Sequence, residues 1–152
     1  MSGKTGRPRP RLAPAAKAMA DARTVFDHGL PLMLGVRVLE VSAERVTAEL
    51  AVKREHFNRG GRVGGGVLMA MADAMGAAGS VVHRADGYRG GGTLESKTNL
   101  FSAARGPVLR GVCVPLHIGR TTSVWQTSIT DADGRTVAMV VQTQMALPVS
   151  GE

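Results

Sequence analysis

The chain has 152 residues, of which 43% are hydrophobic and 20% charged, a composition typical of one soluble globular domain. Its single cysteine excludes an intramolecular disulfide and a zinc-type cysteine cluster. The formal net charge is +7, but five of the 19 basic residues fall within residues 1–17, which contain no acid, and only 3% of residues are aromatic. The basicity is therefore mainly that of a tail, which argues against nucleic acid as a partner.

Membrane and secretion signals are also missing from the sequence. No apolar run approaches the roughly 20 residues that a membrane span needs. The N-terminus lacks the charged-then-apolar pattern of a secretory signal. The sequence therefore predicts a cytoplasmic protein without a membrane partner.

The first third of the chain reads as a tail, a helix and a hairpin. Residues 1–13 are rich in Pro, Gly, Arg and Lys without periodicity, so we predict a disordered basic tail. The apolar spacing over residues 15–28 predicts an amphipathic helix that ends at Gly29. Residues 35–52 alternate apolar and polar side chains about a turn at 42–44, which indicates a β-hairpin.

The remaining segments predict a buried helix and a sheet. A polar loop at 53–64 precedes a helix at 65–82 that is apolar on nearly every side and is therefore expected to be buried. After a loop at 87–92, four segments have β-type patterns: Thr93–Ala103, Val108–His117, Thr121–Thr130 and Arg135–Leu147. A curved antiparallel sheet wrapped around the central buried helix fits this order, so the fold class is α+β. We expect the domain to span 14–147 and a short C-terminal tail to follow at 148–152.

Asp73 is the only charged residue in the helix predicted to be buried. A carboxylate in an apolar setting costs several kcal/mol unless a partner compensates it, and no basic residue lies within one helical turn. Violations of this kind cluster at functional sites, so Asp73 is a candidate catalytic carboxylate. The alternative is that Asp73 caps a broken helix or pairs with a distant arginine.

Three glycines, Gly64, Gly65 and Gly66, mark the start of the same helix. Backbone amides at a helix N-terminus suit an oxyanion or a polarised carbonyl. Gly65 and Asp73 lie eight residues apart, about 12 Å along a helix, so they cannot both contact one carbonyl carbon within a chain. If both act on one substrate, a two-fold dimer must form two composite sites.

The residues around this glycine run resemble a known signature. His56–Gly66, followed by Asp73, is similar to the pattern His-x-Asn-x-x-Gly-x-x-His-Gly-Gly of the phenylacetic-acid-degradation (PaaI-type) family of hotdog-fold acyl-CoA thioesterases, in which an acidic residue follows at the position of Asp73. The resemblance covers roughly residues 30–147 and continues through Thr93–Phe101, Ile118–Arg120 and Ile129–Gly134.

The resemblance implies a hotdog fold, an acyl-CoA substrate, and catalysis without a metal or cofactor. Asp73 would be the nucleophile or the base that activates water, and the Gly65 amide would polarise the thioester carbonyl. Asn58 would position the substrate or the attacking water. Thr93 would support the carboxylate through a hydrogen bond, or would be an ordinary strand residue. Hotdog dimers often pair again, so a dimer or a dimer of dimers (a homotetramer) is expected.

The resemblance also implies a substrate-binding set with one departure. The second histidine of the family pattern is Gly64 here. His56 would contact substrate or only brace the loop, and the Gly66 amide lies beside that of Gly65. The acyl group is expected among Met69, Met71 and Met75. The anionic phosphates of coenzyme A should meet basic side chains, and the candidates are Arg59, Arg62, Arg110 and Arg120.

None of the four histidines has metal-ligand spacing, and His83 is expected to interact with the C-terminus of the helix. Two other functions stay open. A hotdog dehydratase or hydratase would pair a histidine with an acid for proton transfer. A non-catalytic acyl-CoA-binding module on the same fold would explain the glycine at position 64.

Overall fold

The computed structural model describes residues 15–149, which form three α-helices and six strands. The helices are α1 (Ala15–Arg23), α2 (Gly29–Leu34) and α3 (Gly65–Val82), and short 3-10 turns lie at Thr24–Asp27 and Arg54–His56. The strands are β1 (Val36–Val41), β2 (Val46–Ala51), β3 (Tyr88–Leu100), β4 (Val108–Ile118), β5 (Thr122–Thr130) and β6 (Thr136–Pro148). The predicted basic tail at 1–13 lies outside the described residues, as does the end of the predicted C-terminal tail.

The six strands form one antiparallel sheet in the order β1-β2-β4-β5-β6-β3, which curves around α3. The buried side of α3 packs against large side chains of the sheet, among them Leu50, Leu109, Trp125, Ile129 and Val140. Each fully buried side chain of this size contributes about 1.5–3 kcal/mol relative to an exposed one. The fold prediction, an α+β hotdog with an antiparallel sheet around a central helix, is confirmed.

Two predicted boundaries near glycines were wrong. The first helix ends at Arg23, and Gly29, with φ 57°, begins α2 instead of ending the preceding helix. The segment 87–92, expected to be a loop, is mostly strand, because β3 begins at Tyr88. A Cβ at Gly91 would lie 1.5 Å from the Met145 carbonyl oxygen, so the glycines there allow close backbone approach at a register shift.

Helix α3 is buried on one side only, which corrects the expectation of a helix buried all round. Its length of 18 residues and mean hydropathy of 1.4 would suffice for a membrane span, yet 44% of its residues are buried within this domain. Gly66, Met69 and Asp73 are exposed. A single sheet covers only one side of a helix, so the opposite side of α3 stays open in the isolated chain.

Strand β3 lies at one end of the sheet and is the most exposed of the six. It has 13 residues, it pairs only with β6, and nearly all of its residues between Arg89 and Lys97 are exposed. A long strand with an unpaired edge is a template for pairing with another chain. The open side of α3 and the free edge of β3 are therefore the two surfaces of this chain that are suited to a partner.

Candidate active site

A chain of hydrogen bonds from the sheet reaches the carboxylate of Asp73. Thr93 Oγ1 lies 2.7 Å from Asp73 Oδ1 and donates to it, and Gln144 Nε2 donates to Thr93 Oγ1 over 2.8 Å. The neighbouring Gln142 on β6 donates to the backbone carbonyl of Asp73 over 3.3 Å. The hydrogen bond that the resemblance implies for Thr93 is thus present, and its catalytic role stays a prediction.

A register shift in the pairing of β3 with β6 brings Thr93 to this position. Thr93 pairs with Gln144 and Ser96 with Gln142, and an irregularity lies between Thr93 and Glu95. Because residues two apart on a strand point to the same face, Gln142 and Gln144 face α3 together. The shift therefore places both Thr93 and Ser96 on the face of β3 that meets Asp73.

Asp73 itself is exposed, which corrects the expectation of a buried carboxylate. It lies on the open side of α3, where the sheet of its own chain does not cover it. Within residues 15–149 no lysine or arginine forms an ion pair with it, so the alternative of a distant arginine partner is not found there. The carboxylate is held by a neutral hydroxyl and faces outward.

The amide of Gly65 is free at the first turn of α3. Gly64 is the N-cap residue, its amide donates to the His56 carbonyl over 2.8 Å, and its own carbonyl accepts from Val67 N over 3.0 Å. The first amides of a helix have no acceptor within the helix. The Gly65 amide and the adjacent amide of Gly66 can therefore donate to a bound carbonyl oxygen.

The loop before α3 uses both of its signature side chains for bracing. The buried His56 accepts from Lys53 N over 3.0 Å at Nδ1, which favours the bracing interpretation of this histidine. Asn58 Oδ1 accepts from Gly60 N over 2.8 Å and from Arg62 N over 3.2 Å. Only the Asn58 amide nitrogen is left to donate to a substrate or a water.

Two apolar grooves meet at the N-terminal half of α3. The larger, about 410 Å³, is lined by Leu30, Leu34, Glu55, His56, Phe57, Asn58, Gly64, Gly66 and Val67. The smaller, about 360 Å³, is lined by Leu30, Gly66, Met69, Ala70, Asp73 and Ser96. Of the three methionines expected around an acyl group, only Met69 lines a groove. Met71 and Met75 are fully buried in the core because they point to the sheet.

A polar cleft leads away from Asp73 in the other direction. It holds about 250 Å³ between Asp73, Ser80, the glycines 90–92, Thr93 and Gln144. At Ser80 it meets a small polar pocket lined by His83, Arg84 and Arg120. Asp73 thus stands at the boundary between apolar grooves and a polar cleft.

The predicted basic residues fall into separate groups. Arg120 lies with Arg84 beyond the C-terminus of α3, whereas Arg59 and Arg62 lie in the loop before its N-terminus, and Arg110 lies on β4. The two ends of this 18-residue helix are about 27 Å apart, so one chain does not bring the first two groups together. The sequence interpretation missed Arg84, although its place just past the helix end is the signal that could have identified it.

Two further side chains have structural roles. His83 is the C-cap residue of α3, but its ring hydrogen-bonds the Ala43 carbonyl at 2.7 Å and lies 5.6 Å from Trp125, so it ties α3 to the β1–β2 turn instead of its own helix end. Burial raises the pKa of Cys113 to about 11 against a lowering hydrogen bond with Thr127, so this thiol is no nucleophile. Residues 15–149 contain no group of three or more His, Cys, Asp or Glu side chains that could hold a metal.

The comparisons with known proteins agree with this fold and this helix. Residues 60–138 match the family model described as the thioesterase superfamily, and the chain belongs to that superfamily. Over 112 residues, 74% of this chain and 77% of the relative, it is 30% identical to the proofreading thioesterase EntH of Cronobacter turicensis.

Solved structures show the same fold at lower sequence identity. A thioesterase family protein from Silicibacter pomeroyi superposes with a TM-score of 0.79 at 21% identity, covering 90% of this chain and 100% of that one. The PaaI protein of the Escherichia coli phenylacetic acid degradation operon superposes with a TM-score of 0.74 at 17% identity, covering 90% of this chain and 96% of that one. The resemblance to PaaI-like hotdog thioesterases is therefore confirmed.

Proposed function

We propose that this protein is an acyl-CoA thioesterase in which Asp73 is the catalytic carboxylate. The observation that carries the proposal is the place of Asp73, held by Thr93 at the boundary between apolar grooves and a polar cleft. A thioester between an acyl group and coenzyme A has the same division, with an apolar part on one side of the sulfur and a polar, anionic part on the other.

The polar cleft supports coenzyme A as the thiol part. Along α3, Ser80 is seven residues and His83 ten residues beyond Asp73, about 10 Å and 15 Å at the helical rise. A pantetheine arm in the cleft would pass Ser80 and bring its phosphates to Arg84 and Arg120. Guanidinium groups bind phosphate through paired, charge-assisted hydrogen bonds.

The chemistry needs one attacking group and one oxyanion donor. Asp73 Oδ2 either attacks the thioester carbon, so that an acyl-enzyme anhydride forms and thiolate leaves, or takes a proton from a water that attacks instead. In both routes the negative charge develops on the carbonyl oxygen, where a Gly65 amide stabilises it. Water finally supplies the oxygen of the released acid, and coenzyme A leaves as the thiol.

The two groups are on one helix, so the proposed site is composite. Gly65 and Asp73 are separated by eight residues, about 12 Å, and both face the open side of α3. A two-fold partner that pairs along β3 and stacks its α3 antiparallel brings its Gly65 to Asp73. The exposed edge of β3 supports this dimer. Pairing of dimers into a tetramer and a cytoplasmic location stay predictions.

The decisive experiment measures thiol release from a panel of short-chain, medium-chain and aryl-acetyl CoA thioesters. Wild type is expected to turn over at least one thioester, and Asp73→Asn and Asp73→Ala are expected to lose orders of magnitude in kcat while keeping the oligomer, measured by light scattering. Full activity in both variants would remove Asp73 from the mechanism.

A mixing experiment tests the composite site. Asp73→Asn chains and Gly65→Pro chains are each expected to be inactive, and their mixture is expected to recover about a quarter of wild-type activity, because half the dimers are mixed and each contains one intact site. Mixtures that stay inactive despite exchange of subunits would show that both groups act within one chain.

One observation favours a second candidate, a non-catalytic acyl-CoA-binding module. The histidine of the family pattern is Gly64 here, so an imidazole at the helix start is missing. Tight binding of an acyl-CoA without turnover, measured by calorimetry, would establish this function. The dehydratase or hydratase alternative has less support, because the buried His56 already accepts a backbone hydrogen bond and braces its loop.

A further inference from the structure

The hydrogen-bond chain beneath Asp73 has only one arrangement of its protons. A carboxylate only accepts hydrogen bonds, so Thr93 must use its single hydroxyl proton toward Asp73 Oδ1 at 2.7 Å. The lone pairs of Thr93 Oγ1 are then left for Gln144, which must present its amide nitrogen, at 2.8 Å. Gln144 thereby prevents the hydroxyl from turning toward β6.

Burial and register hold Gln144 in this place. Only 3% of its surface is exposed, and it pairs with Thr93 across the β3–β6 ladder and with Ser123 across the β5–β6 ladder. Its side chain also lines the polar cleft beside Asp73. A buried amide beside an apolar helix is costly unless it makes hydrogen bonds, and no residue at this position needs a polar group for the sheet itself.

We propose that Gln144 is a positioning residue for the carboxylate of Asp73. By accepting nothing from Thr93 and donating to it, Gln144 fixes the hydroxyl proton of Thr93 on Oδ1. Oδ1 is then committed, and Oδ2 is the oxygen left to attack the thioester or to take a proton from water. The inference rests on the proposed function, since it names how that site orients its reacting atom.

Turnover measurements test the role of Gln144 through matched substitutions. Gln144→Met keeps the length of the side chain and removes the donor, and it is expected to lower kcat by about 10-fold to 100-fold with KM changed by less than about two-fold, as for other groups that orient a reacting residue. Thr93→Val is expected to lose at least as much, whereas Thr93→Ser keeps the hydroxyl and stays near wild type.

The double variant separates positioning from general structural damage. If Gln144 acts only through Thr93, the Thr93→Val/Gln144→Met double variant is no slower than Thr93→Val alone. The control Thr143→Val removes the hydrogen bond from Thr143 to Glu95 on the same pair of strands and is expected to leave kcat unchanged. Losses that multiply in the double variant, or an equal loss in the control, would overturn the inference.

A crystal structure of Gln144→Glu decides the matter without turnover. Two carboxylates then compete for one hydroxyl proton, so Thr93 is expected to turn to the new carboxylate on β6 and the contact between Thr93 and Asp73 is expected to break. An unchanged Thr93–Asp73 contact would overturn the inference. A wild-type chain that hydrolyses no thioester would sink the proposed function, but this structural result would still stand on its own.

Discussion

Gly79 on α3 lies directly against the indole ring of Trp125 on β5, so that a Cβ at position 79 would come within 2.6 Å of Trp125 Cζ3. Both residues are buried, and the indole also donates to Ser123 Oγ over 2.8 Å, so the ring has no room to yield. We expect Gly79→Ala to lower the free energy of unfolding by about 1–3 kcal/mol through overpacking, measured by denaturant unfolding.

Gly66 on the same helix supplies the control for this substitution. No atom would lie within 4 Å of a Cβ there, and the residue is exposed. Gly66→Ala should therefore raise the free energy of unfolding by about 0.5–1 kcal/mol, because alanine loses less conformational freedom in a helix. A Gly79→Ala variant as stable as Gly66→Ala would show that α3 can shift on the sheet.

The role of the Gly65 amide can be tested without breaking the helix. Gly65 is the first residue of α3, where proline is tolerated, and Gly64 has φ −64° and ψ 138°, the conformation that favours a following proline. Gly65→Pro deletes the proposed oxyanion donor and is expected to lower kcat by about 100-fold.

Gly65→Ala is the matched variant for this test. It adds the same Cβ, which meets the flexible end of Leu100 at 2.9 Å, but keeps the N–H. Thermal unfolding should give similar Tm values for the two variants, and only the proline variant should be inactive in the thiol-release assay. Equal kcat values in both would exclude this amide from catalysis.

Position 64 can accept the histidine that the family pattern has there. The backbone of Gly64 is in a region open to any residue, and a Cβ would meet only the His56 carbonyl oxygen at 3.6 Å and Val67 Cγ2 at 4.0 Å, both ordinary contacts. We expect Gly64→His to fold and to raise kcat/KM, by up to about 100-fold if the ring adds a donor to the carbonyl. Gly64→Ala controls for the stiffer backbone, and an equal gain in that variant would exclude a role for the imidazole.

The sequence predicted α3 to the residue, because glycines mark its start and an unbroken apolar run defines its length. It identified Asp73 as the one charge in that run, but its exposure depends on which side the sheet covers. Gln144 was missed because alternating polar residues are ordinary in strands, and its role follows only from the register with Thr93. The start of β3 was missed because Gly90–Gly92 reads as a loop, whereas these glycines fit against a carbonyl from β6.

Asp131 organises the β5–β6 turn and should make stability depend on pH. The buried carboxylate accepts from the amides of Arg105, Asp133 and Arg135 and from the Arg135 guanidinium. Burial alone would raise the pKa of Asp131, but the hydrogen bonds and charge of Arg135, with the hydrogen bond of Arg105, outweigh it and lower the pKa.

A lowered pKa means that the folded state binds the proton of Asp131 less readily than the unfolded state does. The stabilisation is therefore present above the unfolded value of about 3.9 and is lost as pH falls through the folded value. We expect Asp131→Asn to lower Tm at pH 7 and to reduce the difference from wild type below about pH 3. A Tm difference that is constant from pH 7 to pH 2 would contradict this role.

Leu30 is the side chain that both apolar grooves share, so it should control the acyl group if the proposed function holds. It is 52% exposed on α2, a helix without a buried residue, and a larger side chain there can fill groove volume without displacing the core. We expect Leu30→Trp to raise KM for medium-chain acyl-CoAs by about ten-fold, since several methylenes worth roughly 0.8 kcal/mol each lose their place. KM for acetyl-CoA should change little, because a two-carbon acyl group stays near Asp73. Leu32→Trp is the control, as Leu32 is 58% exposed on the same helix and lines neither groove. A uniform rise in KM across chain lengths would mean that α2 affects access to the site instead of acyl selection.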